Sequence, residues 1–257
     1  IMSLGPVKID DSLIENNAGG SAGGLYLFGE AADATITNST FRNNRTTNST
    51  YGLGGAITTW NGADLIVRGS TFTENEARYG GAIYNESANT TILIEQNSVL
   101  HGNSANVGGG GICNSAGEIV LNQVTLTENV AGFTGGGLYV DNGSEANLFN
   151  VILQANRAGQ AGGGIRIRSS SVSLIDVTLW ENSASSIGGG ISNYLGSVSF
   201  INGTVSNNVA AFDFGGGIEN TEGNVALTHV TFSGNSANTW GGGVYHYDGD
   251  ILPNSFT

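Results

Sequence analysis

The chain has 257 residues and a formal net charge of −13, with 42 glycines, 30 asparagines, two prolines and one cysteine. Glycine at this frequency excludes a helical bundle, because it costs about 1 kcal/mol at an interior helix position, and a single cysteine excludes a disulfide framework. The acidic balance predicts no nucleic-acid partner, and we expect no transmembrane segment because no apolar run approaches the roughly 18 residues of a membrane-spanning helix.

Two short motifs alternate along the whole chain. The first is an apolar residue followed three positions later by Asn, and successive asparagines are 28, 31, 28, 26, 27, 26, 26 and 27 residues apart. It occupies residues 13–16, 41–44, 72–75, 100–103, 126–129, 153–156, 179–182, 205–208 and 232–235. The second is a glycine pair or triplet that ends in an apolar residue, namely Leu25, Ile57, Ile83, Ile112, Leu138, Ile165, Ile191, Ile218 and Val244.

Within each repeat, apolar and polar residues alternate over short runs, which is typical of β-strands. Val172, Leu174, Val177 and Leu179 are predicted to face one way, with Ser173 facing the other. A third strand is predicted directly after the glycine motif. Because three short strands cannot bury an apolar face alone, neighbouring repeats must stack on one another. The predicted fold is an all-β parallel β-helix of about nine coils, each of 26–27 residues and three strands.

The recurring asparagines mark one turn of every coil. Identical asparagine side chains that stack along a solenoid can form a hydrogen-bonded ladder. We therefore predict a structural ladder from Asn16 to Asn235 rather than a ligand site.

Specific sequence elements carry a family resemblance. Residues 41–44, 72–75 and 232–235 match an FxxN element, and residues 54–57 and 80–83 match a GGAI element. The chain thus resembles the polymorphic outer-membrane protein repeat and, more widely, right-handed parallel β-helix repeat proteins, over residues 13–247. The resemblance implies a right-handed β-helix on a secreted or surface-attached bacterial protein, often a passenger or adhesin. We expect residues 1–257 to form one domain of a longer extracellular or cell-surface protein.

The sequence predicts no catalytic residue, metal site or cofactor. Arg168 is expected to pair with Asp141 of the preceding coil, and the histidines, His101, His229 and His246, fall at three different positions of the repeat. Glutamates precede the ladder asparagine in alternate coils, which indicates charge avoidance on a solvated edge. These are Glu15, Glu74, Glu128 and Glu181.

Two columns of residues are predicted to point outward on one face of the rod. The first directly follows the apolar residue that ends the glycine motif, and the second lies two residues further on. Their aromatic side chains suit stacking on sugar rings or on a surface-protein ligand, although tyrosine is also favoured in any half-exposed strand. The predicted binding face consists of Tyr26, Phe28, Trp60, Tyr84, Tyr139, Tyr194, Tyr245 and Tyr247.

The predicted function is non-enzymatic, that of an extracellular or cell-surface structural or adhesive module. A lyase-like polysaccharide-active enzyme or a carbohydrate-binding β-helix is the alternative, and the lengthened early coils, with inserted residues 45–53, are where an enzyme would form its cleft. Because the outermost coils lack capping elements, we expect either that the chain continues into further sequence of a longer protein or that its ends meet a partner, such as another copy in end-to-end self-association. A third hypothesis is ice binding by a threonine column, which is interrupted by Val99 and Ile152 and consists of Thr40, Thr71, Thr125, Thr178, Thr204 and Thr231.

Overall fold

The computed structural model describes residues 1–253, which form a parallel, right-handed β-solenoid of about nine coils without a helix. Each strand pairs in parallel with the equivalent strands of the coils before and after it. The predicted fold class is confirmed. Residues 254–257 of the predicted single domain lie outside the described part of the chain.

Each coil has the three predicted strands, here called A, B and C, and a short fourth strand, D. The A strands are Met2–Ser3, Leu25–Phe28, Ile57–Trp60, Ile83–Asn85, Ile112–Asn114, Leu138–Val140, Ile165–Arg168 and Ile191–Tyr194. The B strands are Val7–Asp10, Ala34–Thr37, Leu65–Arg68, Thr91–Glu95, Glu118–Asn122, Glu145–Phe149 and Ser171–Ile175.

The C strands are Leu13–Glu15, Thr40–Arg42, Thr71–Thr73, Val99–His101, Thr125–Thr127, Ile152–Gln154 and Thr178–Trp180. The D strands are Ala18–Gly19, Arg45–Thr46, Glu76–Tyr79, Ser104–Gly108, Val130–Ala131, Arg157–Ala158, Ser183–Ala184, Val209–Ala210 and Ser236–Ala237. Toward the end of the chain, strands merge across the corners, as Ser197–Ser206, Ile218–Ser233 and Val244–Pro253.

The hydrophobic core is a continuous stack of inward-facing side chains from strands A, B and C. Val172, Leu174, Val177 and Leu179 are all buried, as the alternation predicts. Because every coil covers the apolar residues of the next, the hydrophobic surface removed from water grows with each added coil.

The glycine motif allows a sharp corner where strand D leads back to strand A. Gly135 has a φ of 64°, in the left-handed region that glycine adopts without strain. At Gly136, a Cβ atom would lie 2.3 Å from the carbonyl oxygen of Gly163 in the next coil. The third position holds alanine in two coils, as Ala56 and Ala82. Eight of the nine coils therefore have glycine at the first two positions and glycine or alanine at the third, which accounts for both GGG and GGA, whereas the first coil has Ala22 at the first position.

The predicted asparagine ladder is present, and its members are buried except at its two ends. Asn156 donates from Nδ2 to Asn182 Oδ1 (3.0 Å) and to the Leu126 carbonyl (2.9 Å). Its Oδ1 accepts from both the backbone N–H and Nδ2 of Asn129 (3.0 Å each). Each amide thus ties together three successive coils. The ladder consists of Asn17, Asn44, Asn75, Asn103, Asn129, Asn156, Asn182, Asn208 and Asn235.

The first coil differs by one residue from the prediction. Ile14, not Leu13, lies opposite Phe41, and Leu13 is 55% exposed. The ladder therefore begins at Asn17, because a one-residue shift would turn the strand's apolar side chain outward. Glu15 consequently lies in strand C, where it pairs with Arg42, and not at the corner that Glu74, Glu128 and Glu181 occupy.

A second, interrupted polar ladder runs along strand A and was not predicted. In one part, Thr59 donates to Asn85, and Asn85 donates to Asn114 (2.9 Å each). In the other, Asn193 donates to Asn220 (2.6 Å). Ile167 occupies this column in the coil before Asn193, so the buried Oδ1 of Asn193 has no hydrogen-bond partner. The Ile-x-Asn spacing in four repeats was the signal available in the sequence.

Candidate functional site

The two predicted columns of strand A are in register along the rod, but the first does not face open solvent. Tyr84 is 6% exposed and Tyr139 is 9% exposed. Leu53 and Tyr79, from the chain leading to the glycine corner, pack against them. Both tyrosines point away from the core, as the alternation predicts, but they are not exposed to solvent because this segment folds over strand A.

The aromatic residues of the predicted face separate into groups along the rod. Tyr26 and Phe28 stack on each other near the first coil, with ring centroids 6.3 Å apart. Tyr245 stacks on Phe214 at 4.6 Å, and Tyr247 is 60% exposed. The remaining residues are the half-buried Trp60 and Tyr194 and the buried Tyr84 and Tyr139.

A cleft of about 490 Å³ lies on the side of the rod, between strand A and the segment that precedes the glycine corner. We call it the lateral cleft. Its floor is formed by Tyr84, Cys113 and Tyr139. One wall consists of Tyr79, Phe133 and Thr134, and the opposite wall consists of Ser115, Asp141, Asn142 and Arg168. Val107 also lines the cleft.

Asp141 is the most strongly hydrogen-bonded group of the lateral cleft. Its carboxylate accepts from Nε and Nη2 of Arg168 (2.8 and 2.7 Å), from the Tyr139 hydroxyl (2.7 Å) and from the Asn142 N–H (2.8 Å). The predicted ion pair is thus present. Burial raises the pKa of Asp141, but the hydrogen bonds outweigh burial and hold this pKa below its ordinary value. Asp141 is therefore an anion at neutral pH.

The two tyrosines and the cysteine on the cleft floor are held in their neutral forms. Burial, followed by the carboxylate of Asp141, raises the pKa of Tyr139. Burial also raises the pKa of the Cys113 thiol, with smaller contributions from Asp141 and Glu86. Because the thiolate is the reactive form of cysteine, Cys113 lacks the character of a nucleophile.

A second ionic network continues strand A beyond the cleft. Arg166 donates to the Ser192 hydroxyl, which in turn donates to Glu219. The side chain of Arg166 is 13% exposed, and its guanidinium lies 4.0 Å from the Glu219 carboxylate. Burial lowers the pKa of Arg166, and Glu219 opposes that shift. These three residues occupy consecutive positions of the first predicted column, so their alignment was visible in the sequence.

The glutamates and histidines that the sequence analysis considered lie apart from the cleft. Glu74, Glu128 and Glu181 lie at the corner between strands C and D, on another edge of the rod. His101 lies in strand C, and His246 contacts Asn220 in the ladder of strand A. Within residues 1–253, no group of three or more His, Cys, Asp or Glu side chains is placed to hold a metal ion.

The insertion and the threonine column also lie elsewhere. Residues 45–53 include a turn with Tyr51 69% exposed, and they contribute Leu53 to the packing behind the cleft and not to its lining. The threonine column is in register on the outer face of strand C, with Ile152 43% exposed within it. Residues 1–253 contain no helix that is long and apolar enough to cross a membrane.

Comparison with known families gives two matches. A family model for the right-handed β-helix region matches residues 5–156, and the Chlamydia polymorphic membrane protein repeat matches residues 229–247. Searches of curated proteins and of solved structures return no match.

Proposed function

The chain belongs to the right-handed β-helix family, whose model covers more than half of its length, and we propose that it is a surface-exposed, non-catalytic adhesive module that binds carbohydrate in the lateral cleft. The polymorphic membrane protein repeat at residues 229–247 supports the surface location. The net charge of −13 suits a protein that stays dispersed outside the cell.

The single observation that carries the binding proposal is the pairing of aromatic rings with fixed polar groups in one cleft. Phe133 is 55% exposed on one wall, and Asp141 and Arg168 lie on the other. Sugar rings present apolar C–H faces that stack on aromatic side chains. Their hydroxyl groups are bound by a few well-placed donors and acceptors. The cleft volume of about 490 Å³ lies within the range of small-molecule sites.

The state of the polar groups favours binding over catalysis. A general acid or base must change protonation during the reaction, with a pKa near the working pH. The pKa of Asp141 is instead held below its ordinary value by hydrogen bonds from Arg168, Tyr139 and Asn142, and burial raises the pKa of Cys113. A lyase would further require cations available to a uronate, whereas Arg168 is already bound to Asp141.

The proposal is tested with Phe133→Ala and a matched control, Phe212→Ala. Both phenylalanines are exposed, by 55% and 67%, so neither substitution should change the melting temperature measurably. The intact chain is expected to bind on a glycan array. Phe133→Ala should weaken that binding about tenfold, because it removes one stacking contact worth about 1.4 kcal/mol. Phe212→Ala should leave the binding unchanged. Absence of glycan binding by the intact chain, or equal binding by both variants, would contradict the proposal.

A further inference from the structure

We propose that the lateral cleft selects neutral glycan chains and disfavours chains that carry uronate groups, an inference that rests on the proposed carbohydrate binding. The cleft lining contains a single arginine, Arg168, and its charge is matched by Asp141 within the same wall. Two of the guanidinium nitrogen atoms are already engaged by that carboxylate, at 2.7 and 2.8 Å.

The groups around the lining add no excess positive charge. Arg166 is paired with Glu219 in the buried network of strand A. Arg78 packs over the Tyr79 ring, 5.2 Å from its centroid, and donates to the Thr50 carbonyl at 2.7 Å. Glu86 stands in the same column as Asp141. The lining and its surroundings thus contain three arginines and three carboxylates, Asp141, Glu219 and Glu86, on a chain whose net charge is −13.

A uronate that bound the remaining N–H groups of Arg168 would add a second negative charge to a guanidinium whose charge Asp141 already balances, and a uronate that took the place of Asp141 would break the ion pair. Displacement would leave the largely buried carboxylate of Asp141 without its ion-pair partner, and an unpaired buried charge is strongly destabilising. A neutral sugar avoids this cost. Its hydroxyls can donate to the Asp141 oxygens and accept from the remaining guanidinium N–H groups while the ion pair stays intact.

The test compares a neutral glucan oligosaccharide with an oligogalacturonate of equal length, each titrated calorimetrically into the intact chain. We expect the wild type to bind the neutral chain at least about tenfold more tightly. In Asp141→Asn, Arg168 loses its anionic partner and the cleft gains one positive charge, so the preference should narrow or invert. The new uronate binding should weaken as salt is raised, because salt screens exposed charges.

Ser115→Lys provides a second variant that adds a cation without removing the Asp141–Arg168 pair. Ser115 is a half-buried wall residue, and a lysine there should also improve uronate binding. Tighter uronate binding by the wild type, or no change of preference in a folded variant of either kind, would overturn the selectivity while leaving carbohydrate binding intact. Failure of the wild type to bind any glycan on the array would instead reject the proposed function.

Discussion

Buried side-chain amides give this rod much of its regularity at the scale of single residues. Asn156 is fully buried and its amide makes hydrogen bonds to the coil before and the coil after. A buried amide without partners is costly, so each ladder residue depends on its neighbours.

We therefore expect Asn156→Ala to lower the free energy of unfolding by roughly 2–6 kcal/mol, since it leaves two buried donors of Asn129 unsatisfied at about 1–3 kcal/mol each. Asn17→Ala is the matched control, because Asn17 belongs to the same ladder but is exposed. It should cost about 1 kcal/mol or less. Urea unfolding measures both values, and equal costs would argue against the ladder's importance.

A second prediction at the residue scale concerns the backbone conformation of Leu195. Leu195 has a φ of 57° and is 48% exposed, whereas the equivalent corner positions hold Asn142, Ser169 and Glu222. Asparagine tolerates left-handed φ better than leucine does. Leu195→Asn should therefore raise the free energy of unfolding by about 0.5–1 kcal/mol. A clear loss of stability in urea unfolding would show that Leu195 makes contacts that outweigh its strain.

The Asp141 carboxylate predicts a pH dependence of stability. Its pKa is lower in the folded chain than in the unfolded chain, so its contribution is fully present above the unfolded pKa, ordinarily about 3.9. That contribution should be lost as pH falls through the folded pKa. The difference in unfolding free energy between wild type and Asp141→Asn should shrink over this acidic window. A difference that is the same at pH 7 and pH 3 would contradict this assignment.

At the scale of the element, the coil is the unit that can be added or removed. Ser183 pairs with Val209 and Ala184 with Ala210. Deletion of residues 183–208 joins Asn182 to Val209 and preserves the register of all four strands. We expect this variant to fold into a shorter rod with the β-rich circular dichroism spectrum of the parent. Deletion of residues 183–195, about half a coil, should disrupt folding because it shifts the register.

At the scale of the whole molecule, the lateral cleft exists only because successive coils are stacked. Residues 130–156 supply Phe133, Tyr139 and Asp141, and Val130 pairs with Arg157 of the next coil. Deletion of residues 130–156 should leave a folded rod that no longer binds glycan. The deletion of 183–208 keeps every lining residue and should retain binding. Loss of binding in both folded deletions would place the site elsewhere.

Much of the fold follows from the sequence alone, because the period of the repeat sets the register between coils. Once the asparagine and glycine motifs are aligned, the core face of Val172 and Leu174, the ladder through Asn156 and the pairing of Arg168 with Asp141 all follow. Each is a contact between equivalent positions of neighbouring coils. The first coil is the exception, because both Leu13 and Ile14 are followed by an asparagine three residues later, and only packing against Phe41 distinguishes them.

The formation of the lateral cleft depends on the tertiary structure and could not be predicted from the sequence. Alternation along strand A places Tyr84 and Tyr139 on the side opposite the core, and this property is local to the strand. Whether that side meets solvent depends on the path of the chain through the preceding glycine corner, which brings Tyr79 and Phe133 alongside. That path is set by backbone dihedral angles and by the handedness of the coil. Residue spacing specifies which residues share a column, but it does not specify which other residues of the coil cover that column.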